Sequence, residues 1–145
     1  RKSRLVQLRG GCACGRCTFS ATVGAELQTQ HCYCNLCRRL SGSVAQTWVP
    51  VRKESWQWTK QEALKLVRTT GHGRRHFCTH CGCDLTIVYD SQPDTIWPIA
   101  GALDDETWPP DLGNALYRAV HICCSMMQPW YRLPEDGLAR LRFAG

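Results

Sequence analysis

Nowhere in these 145 residues does an apolar stretch approach the roughly 20 residues that a membrane-spanning helix needs. The longest, Ile96 to Leu103, is eight residues long and is interrupted by Pro98 and Gly101. No membrane span is expected. No basic start followed by an apolar segment reads as a signal peptide, so a secretory route has no support. No stretch keeps a helical period over three turns, and no repeat, linker or low-complexity tract divides the chain. Disorder is excluded by an ordinary balance of 43% hydrophobic and 21% charged residues. The length fits one domain better than two, and a single domain over residues 1–145 is expected.

What remains is strand-like. Leu5 to Leu8, Thr18 to Val23, Gln46 to Val51, Leu64 to Thr69, Asp84 to Tyr89 and Thr95 to Ala100 read as short strands rich in Val, Ile, Thr, Trp and Tyr. Turn residues separate them: Gly10-Gly11, Gly71 with Gly73, and Gln92-Pro93-Asp94. Asn35 to Leu40 is expected to form one short helical turn. The tail from Trp108, with Pro109, Pro110, Pro129 and Pro134, is expected to wrap the body as loops. The fold class is therefore mostly β.

Against this plain background stand 11 cysteines. Their number is odd and their spacing is clustered: Cys12, Cys14 and Cys17; Cys32, Cys34 and Cys37; Cys78, Cys81 and Cys83; Cys123 and Cys124. Disulfide frameworks come in even numbers, in small secreted chains with thin cores. Converging thiolates around metal ions explain this pattern better, and they fit a reducing, cytoplasmic setting. Cys12-x-Cys14 and Cys78-x-x-Cys81 are two compact pairs separated by 63 residues. Together they supply the four ligands of a closed tetrahedral zinc site with a structural role.

Cys32, Cys34 and Cys37 offer three thiols and no obvious fourth ligand. Zinc with three protein ligands keeps one position for water or substrate, the mark of a catalytic site. Three thiolates on Zn²⁺ leave a net charge of about −1, which acidifies water poorly but suits a fourth sulfur, so a thiol substrate is expected. The alternative is closure by Cys17, Cys83, Cys123, His31 or His80. Arg38 and Arg39 follow directly and could offset charge or hold a substrate carboxylate. Trp48, Trp56 and Trp58 read as core or pocket wall, with Trp48 a candidate substrate contact. Cys17, Cys83, Cys123 and Cys124 read as buried packing residues. His31 is a candidate proton relay beside the open cluster. His72, His76, His80 and His121 have no triad spacing to support catalysis. Asp104 and Asp105 read as turn residues.

The formal charge of +6 invites a nucleic-acid reading. Seven metal-bound thiolates and two Zn²⁺ would bring the loaded protein to about +3, and the basic residues are scattered. Nucleic acid is therefore not the expected partner. Arg1-Lys2-Arg4 is a terminal group, and Arg74-Arg75 could attract an anionic substrate.

Taken in order, these motifs resemble the glutathione-dependent formaldehyde-activating enzymes, a family with centromere protein V as a relative. The resemblance is carried by Gly10-Gly11-Cys12-x-Cys14-Gly15, Cys32-x-Cys34-x-x-Cys37-Arg38-Arg39-x-Ser41-Gly42 and Phe77-Cys78-x-x-Cys81-Gly82. It continues through Leu103-Asp104-Asp105, His121-Ile122, Pro129-Trp130 and Asp136-Gly137-Leu138, almost the length of the chain. It implies an Mss4-like fold of several coiled antiparallel sheets, stabilised by zinc. By the same resemblance, Cys12, Cys14, Cys78 and Cys81 hold a structural zinc, and Cys32, Cys34 and Cys37 a catalytic one. Two Zn²⁺ per chain, glutathione as co-substrate and carbon–sulfur lyase chemistry on a thiol adduct such as S-hydroxymethylglutathione follow as expectations. The departures are Cys17, Cys83 and Cys123-Cys124, where family members commonly carry other residues. Two other readings stand beside this one: a non-catalytic, chromatin-associated binding module, and a biosynthetic lyase or dehydratase acting on a larger thiol conjugate.

Overall fold

Strict alternation of inward and outward residues builds the first hairpin. In the computed structural model, which describes residues 5–24, 27–107 and 119–143, β1 (Leu5–Gly11) pairs antiparallel with β2 (Cys17–Gly24). Val6 and Leu8 from β1 and Cys17, Phe19, Ala21 and Val23 from β2 all face inward, as the two-residue period of a strand requires. The other face of β1 is exposed. β6 (Trp56–Gln61) adds to β2 and completes a three-stranded sheet. Phe19 stacks on Trp56, centroids 4.4 Å apart, and meets Trp58 edge-on at 6.0 Å.

A five-stranded antiparallel sheet follows the order β5 (Val51–Arg52), β10 (Thr95–Pro98), β9 (Asp84–Tyr89), β8 (Gly73–Cys78), β7 (Leu64–Arg68). β9 is central, and its first five residues are all buried, because both faces are covered. A third sheet of three short strands runs β11 (Val120–Ile122), β3 (Gln30–Cys32), β4 (Gln46–Trp48). β11 lies parallel to β3, the one parallel pairing among the described strands. One helix, α1 (Asn35–Ser41), follows β3.

Two apolar clusters form the core. The larger joins Val6, Leu8, Phe19, Val49, Leu85 and Ile96 with Cys12, Cys17 and Cys78; the smaller joins Trp48, Ile87, Val120 and Ile122 with Cys32, Cys37 and Cys123. Each set of clustered cysteines therefore borders its own core.

The fold is the expected mostly β, Mss4-like arrangement of several sheets. Asp84 to Tyr89 is a strand over its full expected length, and the expected helical turn is α1. Gln46 to Val51 is two strands, because the Val49 amide bonds to the Pro98 carbonyl and Pro50 has no amide to continue the ladder. Thr95 to Ala100 ends at Pro98, where Ala100–Ala102 coils into a 3₁₀ turn. Arg1-Lys2-Arg4, Trp108, Pro109 and Pro110 lie outside the described residues. In the described part of the tail, a 3₁₀ turn at Cys124–Met126 follows β11 and the backbone beyond it is irregular, apart from an isolated bridge from Arg140 to His121.

Candidate metal centres

The first cluster is made by two similar turns meeting head to head. After β1 the chain reverses through Cys12-Ala13-Cys14-Gly15, with the Cys12 amide donating to the Cys17 carbonyl at 2.9 Å and the Gly15 amide to the Cys12 carbonyl at 3.2 Å. After β8 it reverses through Cys78-Thr79-His80-Cys81-Gly82, with the Cys78 amide on the Cys83 carbonyl at 3.0 Å and the Gly82 amide on the Cys78 carbonyl at 2.9 Å. Gly15 and Gly82 take φ of +80° and +78°, a left-handed conformation that residues with a Cβ rarely adopt. Each turn also points an amide at a sulfur: Cys17 N–H to Cys12 Sγ at 3.3 Å, Cys81 N–H to Cys78 Sγ at 3.4 Å.

Cys14 Sγ lies 3.6 Å from both Cys12 Sγ and Cys78 Sγ, and all four sulfurs of Cys12, Cys14, Cys78 and Cys81 are within 4.8 Å of one another. Burial works against the Cys78 thiolate, but amides of Cys81 and His80 overcome it and bring the thiol down to about 6. Cys14 goes the other way, up to about 11: an amide from Arg16 favours its thiolate, but desolvation and the crowding thiols of Cys12, Cys78 and Cys81 outweigh it. Four gathered sulfurs compete for the negative charge. A divalent, thiophilic cation removes that competition, so the donor set fits Zn²⁺. Cys17, fully buried, and Cys83 pack behind this cluster.

The second cluster sits where β3 passes into α1. Cys32 ends β3, Cys34 is the N-cap of α1, and Cys37 lies one turn into the helix. Cys34 Sγ accepts the Cys37 amide at 3.3 Å, doing with sulfur what a serine or aspartate cap does with oxygen. The C-terminus closes on Gly42, φ +68°, whose amide reaches the Arg38 carbonyl at 2.8 Å. Sulfurs of Cys32, Cys34 and Cys37 lie within 4.8 Å of one another, and no fourth Cys, His, Asp or Glu among the described residues joins them at that distance. Cys32 and Cys37 are buried and Cys34 is half-buried. Interaction with the Cys32 thiol first, and the Cys37 thiol next, drives Cys34 down to about 2, while Cys32 and Cys37 go up. The trio thus shares its charge unevenly around Cys34, again the chemistry that a dication relieves. All 11 cysteines are free of disulfides.

Cys123 belongs to the same apolar cluster as Cys32 and Cys37, placed there because Ile122 pairs in register with Cys32. Its backbone is left-handed, φ +57°, the single such non-glycine among the described residues. Arg38 is half-buried, braced by its Nε on the Tyr33 carbonyl at 3.3 Å. Arg39 is exposed. Both line an open groove of about 510 Å³ with Gln128 and Trp130. Trp48 is buried in the wall behind the cluster, while Trp56 and Trp58 lie against the other core.

Two polar groupings around the second cluster escaped the sequence reading. His121, 2% exposed, takes Tyr33 OH at Nδ1 and Asp136 Oδ2 at Nε2, both at 2.9 Å. His31 packs on its ring at 5.1 Å and bonds Thr47 Oγ1 at 2.7 Å. Arg75, read with Arg74 as a basic pair that could attract an anionic substrate, is buried: it donates to Asp84 Oδ2 at 2.7 Å, Gln46 Oε1 at 2.9 Å and Cys37 Sγ at 3.4 Å. Arg74 stays outside near Asp90, 3.8 Å away. Gly73 and Arg75 are alternate buried positions of β8, and an irregularity between His76 and Phe77 turns Cys78 rather than Phe77 inward.

Fold and site together define a mostly β protein with one four-cysteine and one three-cysteine cluster, each able to hold a metal ion. The profile of the family described as "Glutathione-dependent formaldehyde-activating enzyme" matches residues 7–120. The chain belongs to that family. Among solved structures it is similar to a Rhodobacter sphaeroides protein from a structural genomics programme, with TM-score 0.55 and 22% identity over 72% of this chain and 94% of that one. That likeness supports the fold. A search of curated proteins finds no match.

Proposed function

We propose that this chain is a zinc-dependent enzyme of the carbon–sulfur lyase type, forming or cleaving a C–S bond in an adduct of glutathione or a related thiol. The observation that carries the reading is the contrast between the clusters: four converging sulfurs in one, and in the other three, which no fourth Cys, His, Asp or Glu among the described residues joins within 4.8 Å, the Cys123 thiol lying beside Cys32 without entering the set. In this reading residues 1–145 are one domain, Cys12, Cys14, Cys78 and Cys81 hold a structural zinc, and Cys32, Cys34 and Cys37 hold a catalytic one. Zinc bound by the three cysteines supplies a Lewis acid that stabilises the substrate sulfur as an anion.

The remaining work falls to the chain. Arg38 and Arg39, set on the helix that Cys34 caps, face the groove and bind carboxylates of the conjugate. Trp130, 69% exposed, forms one rim of that groove. Trp48 backs the site from behind. His31, half-buried, held by Thr47 and one residue before Cys32 on β3, serves proton transfer. Free thiols and clustered metal ligands suit a reducing cytoplasm, and no helix among the described residues is long and apolar enough to cross a membrane.

Elemental analysis and cobalt substitution test the assignment, together with turnover of glutathione plus formaldehyde. Two metals per chain are expected, with the spectrum of one responding to glutathione. One metal, or two indifferent to thiols, would replace the enzyme by a scaffold. Turnover of bulkier conjugates with none of the formaldehyde adduct would keep the chemistry and change the substrate.

A further inference from the structure

The buried Arg75 network touches the three-cysteine cluster through Cys37, and packing alone does not account for it. Burying a cation is costly, and replacing a buried ion pair by apolar residues is often neutral or stabilising. Here Arg75 is 1% exposed and its partner Asp84 7%. The network also has a direction. Asp84 and Gln46 both engage Nη1, while Nη2 is turned to Cys37 Sγ at 3.4 Å. The guanidinium carbon lies over Trp48, 5.2 Å from the centroid of its buried ring, which excludes water from that side. The positive end of the pair therefore faces the sulfurs, in a dry setting where a charge acts more strongly than in water.

Three thiolates around a divalent ion carry a net charge of about −1, and a fourth anionic sulfur makes it about −2. Repulsion opposes that step and favours neutral water in the fourth position. We propose that Arg75 is a positioning residue that sets the ligand preference of the three-cysteine site, its guanidinium on Cys37 favouring an anionic sulfur over neutral water. Asp84 moderates the effect by holding the opposite charge on the far nitrogen. This rests on the zinc-site reading given above and adds to it the feature that selects thiolate substrates.

The test uses cobalt(II) in place of zinc and 2-mercaptoethanol as probe, a thiol too small to engage Arg38 or Arg39, with binding followed by the cobalt absorption spectrum. Asp84→Asn leaves the cation unopposed, and the thiol affinity is expected to rise by about threefold to tenfold. Arg75→Met removes it, and the affinity is expected to fall by about tenfold or more, with Arg75→Lys between Met and the parent. Metal content and melting temperature, measured alongside, identify any variant that has lost its fold. Opposite signs support the proposal; a purely structural ion pair would make both changes act alike. Equal or unchanged affinities overturn it, and the Asp84→Asn arm suffices if Arg75→Met does not fold. A parent protein whose cobalt spectrum ignores thiol would overturn the open-site reading itself, an outcome seen before any variant is made.

Discussion

Phe19 shows how much of this small core rests on single side chains. It is 1% exposed, stacks on Trp56, meets Trp58 edge-on and lies beside Gly10, where a methyl group would strike its ring and the Ala102 carbonyl. The glycine is there for close approach, and the ring fills the space it leaves. Replacing Phe19 by Ala removes the ring and leaves a cavity that three packed strands cannot readily close, at a cost of about 3–5 kcal/mol. Denaturant unfolding of the metal-loaded protein should show that loss as a lower midpoint with an unchanged slope. His121 is the polar counterpart in the other core: Tyr33 and Asp136 satisfy both ring nitrogens, so a buried imidazole carries no unpaired atom.

At the scale of elements, α1 is a short helix whose N-cap and first turn carry two of the three clustered cysteines. Seven residues are too few for an isolated helix to be stable in water, so its ends must be fixed, and Cys34 at the N-cap and Gly42 at the C-cap do this. Cys34→Ser separates the two duties. Serine is among the best N-caps and its hydroxyl can take the Cys37 amide, but it is a poor ligand for a soft site. The variant should keep its circular dichroism and its first metal, and lose the second metal and thiol-dependent turnover. A fully active, zinc-replete variant would remove Cys34 from the catalytic assignment. The same element explains what could be read from the sequence. Cys-x-Cys-x-x-Cys followed by Arg-Arg marked the three-cysteine cluster and the helix, because local spacing decides both. β3 and β11 were not legible, since three-residue strands have no period to detect and their parallel pairing joins residues some 90 positions apart. β8 was hidden by Arg74-Arg75-His76, a run that looks solvated although Arg75 faces inward. Chemistry that depends on tertiary neighbours, such as Arg75 on Cys37, leaves little local trace.

For the whole molecule, the four-cysteine cluster is a cross-link between distant parts of the chain. Cys12 and Cys14 follow β1 in the first sheet, Cys78 ends β8 in the second and Cys81 follows it, and the Cys14 and Cys78 sulfurs are 3.6 Å apart. Both sheets share the larger apolar cluster, into which Cys12 and Cys78 are themselves packed. Without a cation the four sulfurs cannot readily all be thiolates: against the Arg16 amide, desolvation and the neighbouring thiols push Cys14 up to about 11. With one, closing this long loop becomes part of the binding free energy, which for structural zinc in small peptides reaches roughly 10–16 kcal/mol at neutral pH. Removal of metal by a strong chelator should therefore lower the melting temperature steeply and expose both sheets to protease. Cys78→Ser should reproduce that loss in the presence of excess zinc, whereas Cys34→Ser should not. A Cys78→Ser protein that melts with the parent and still binds two metals would show that the apolar cluster alone holds the sheets together, and that the four sulfurs gather without bearing on stability.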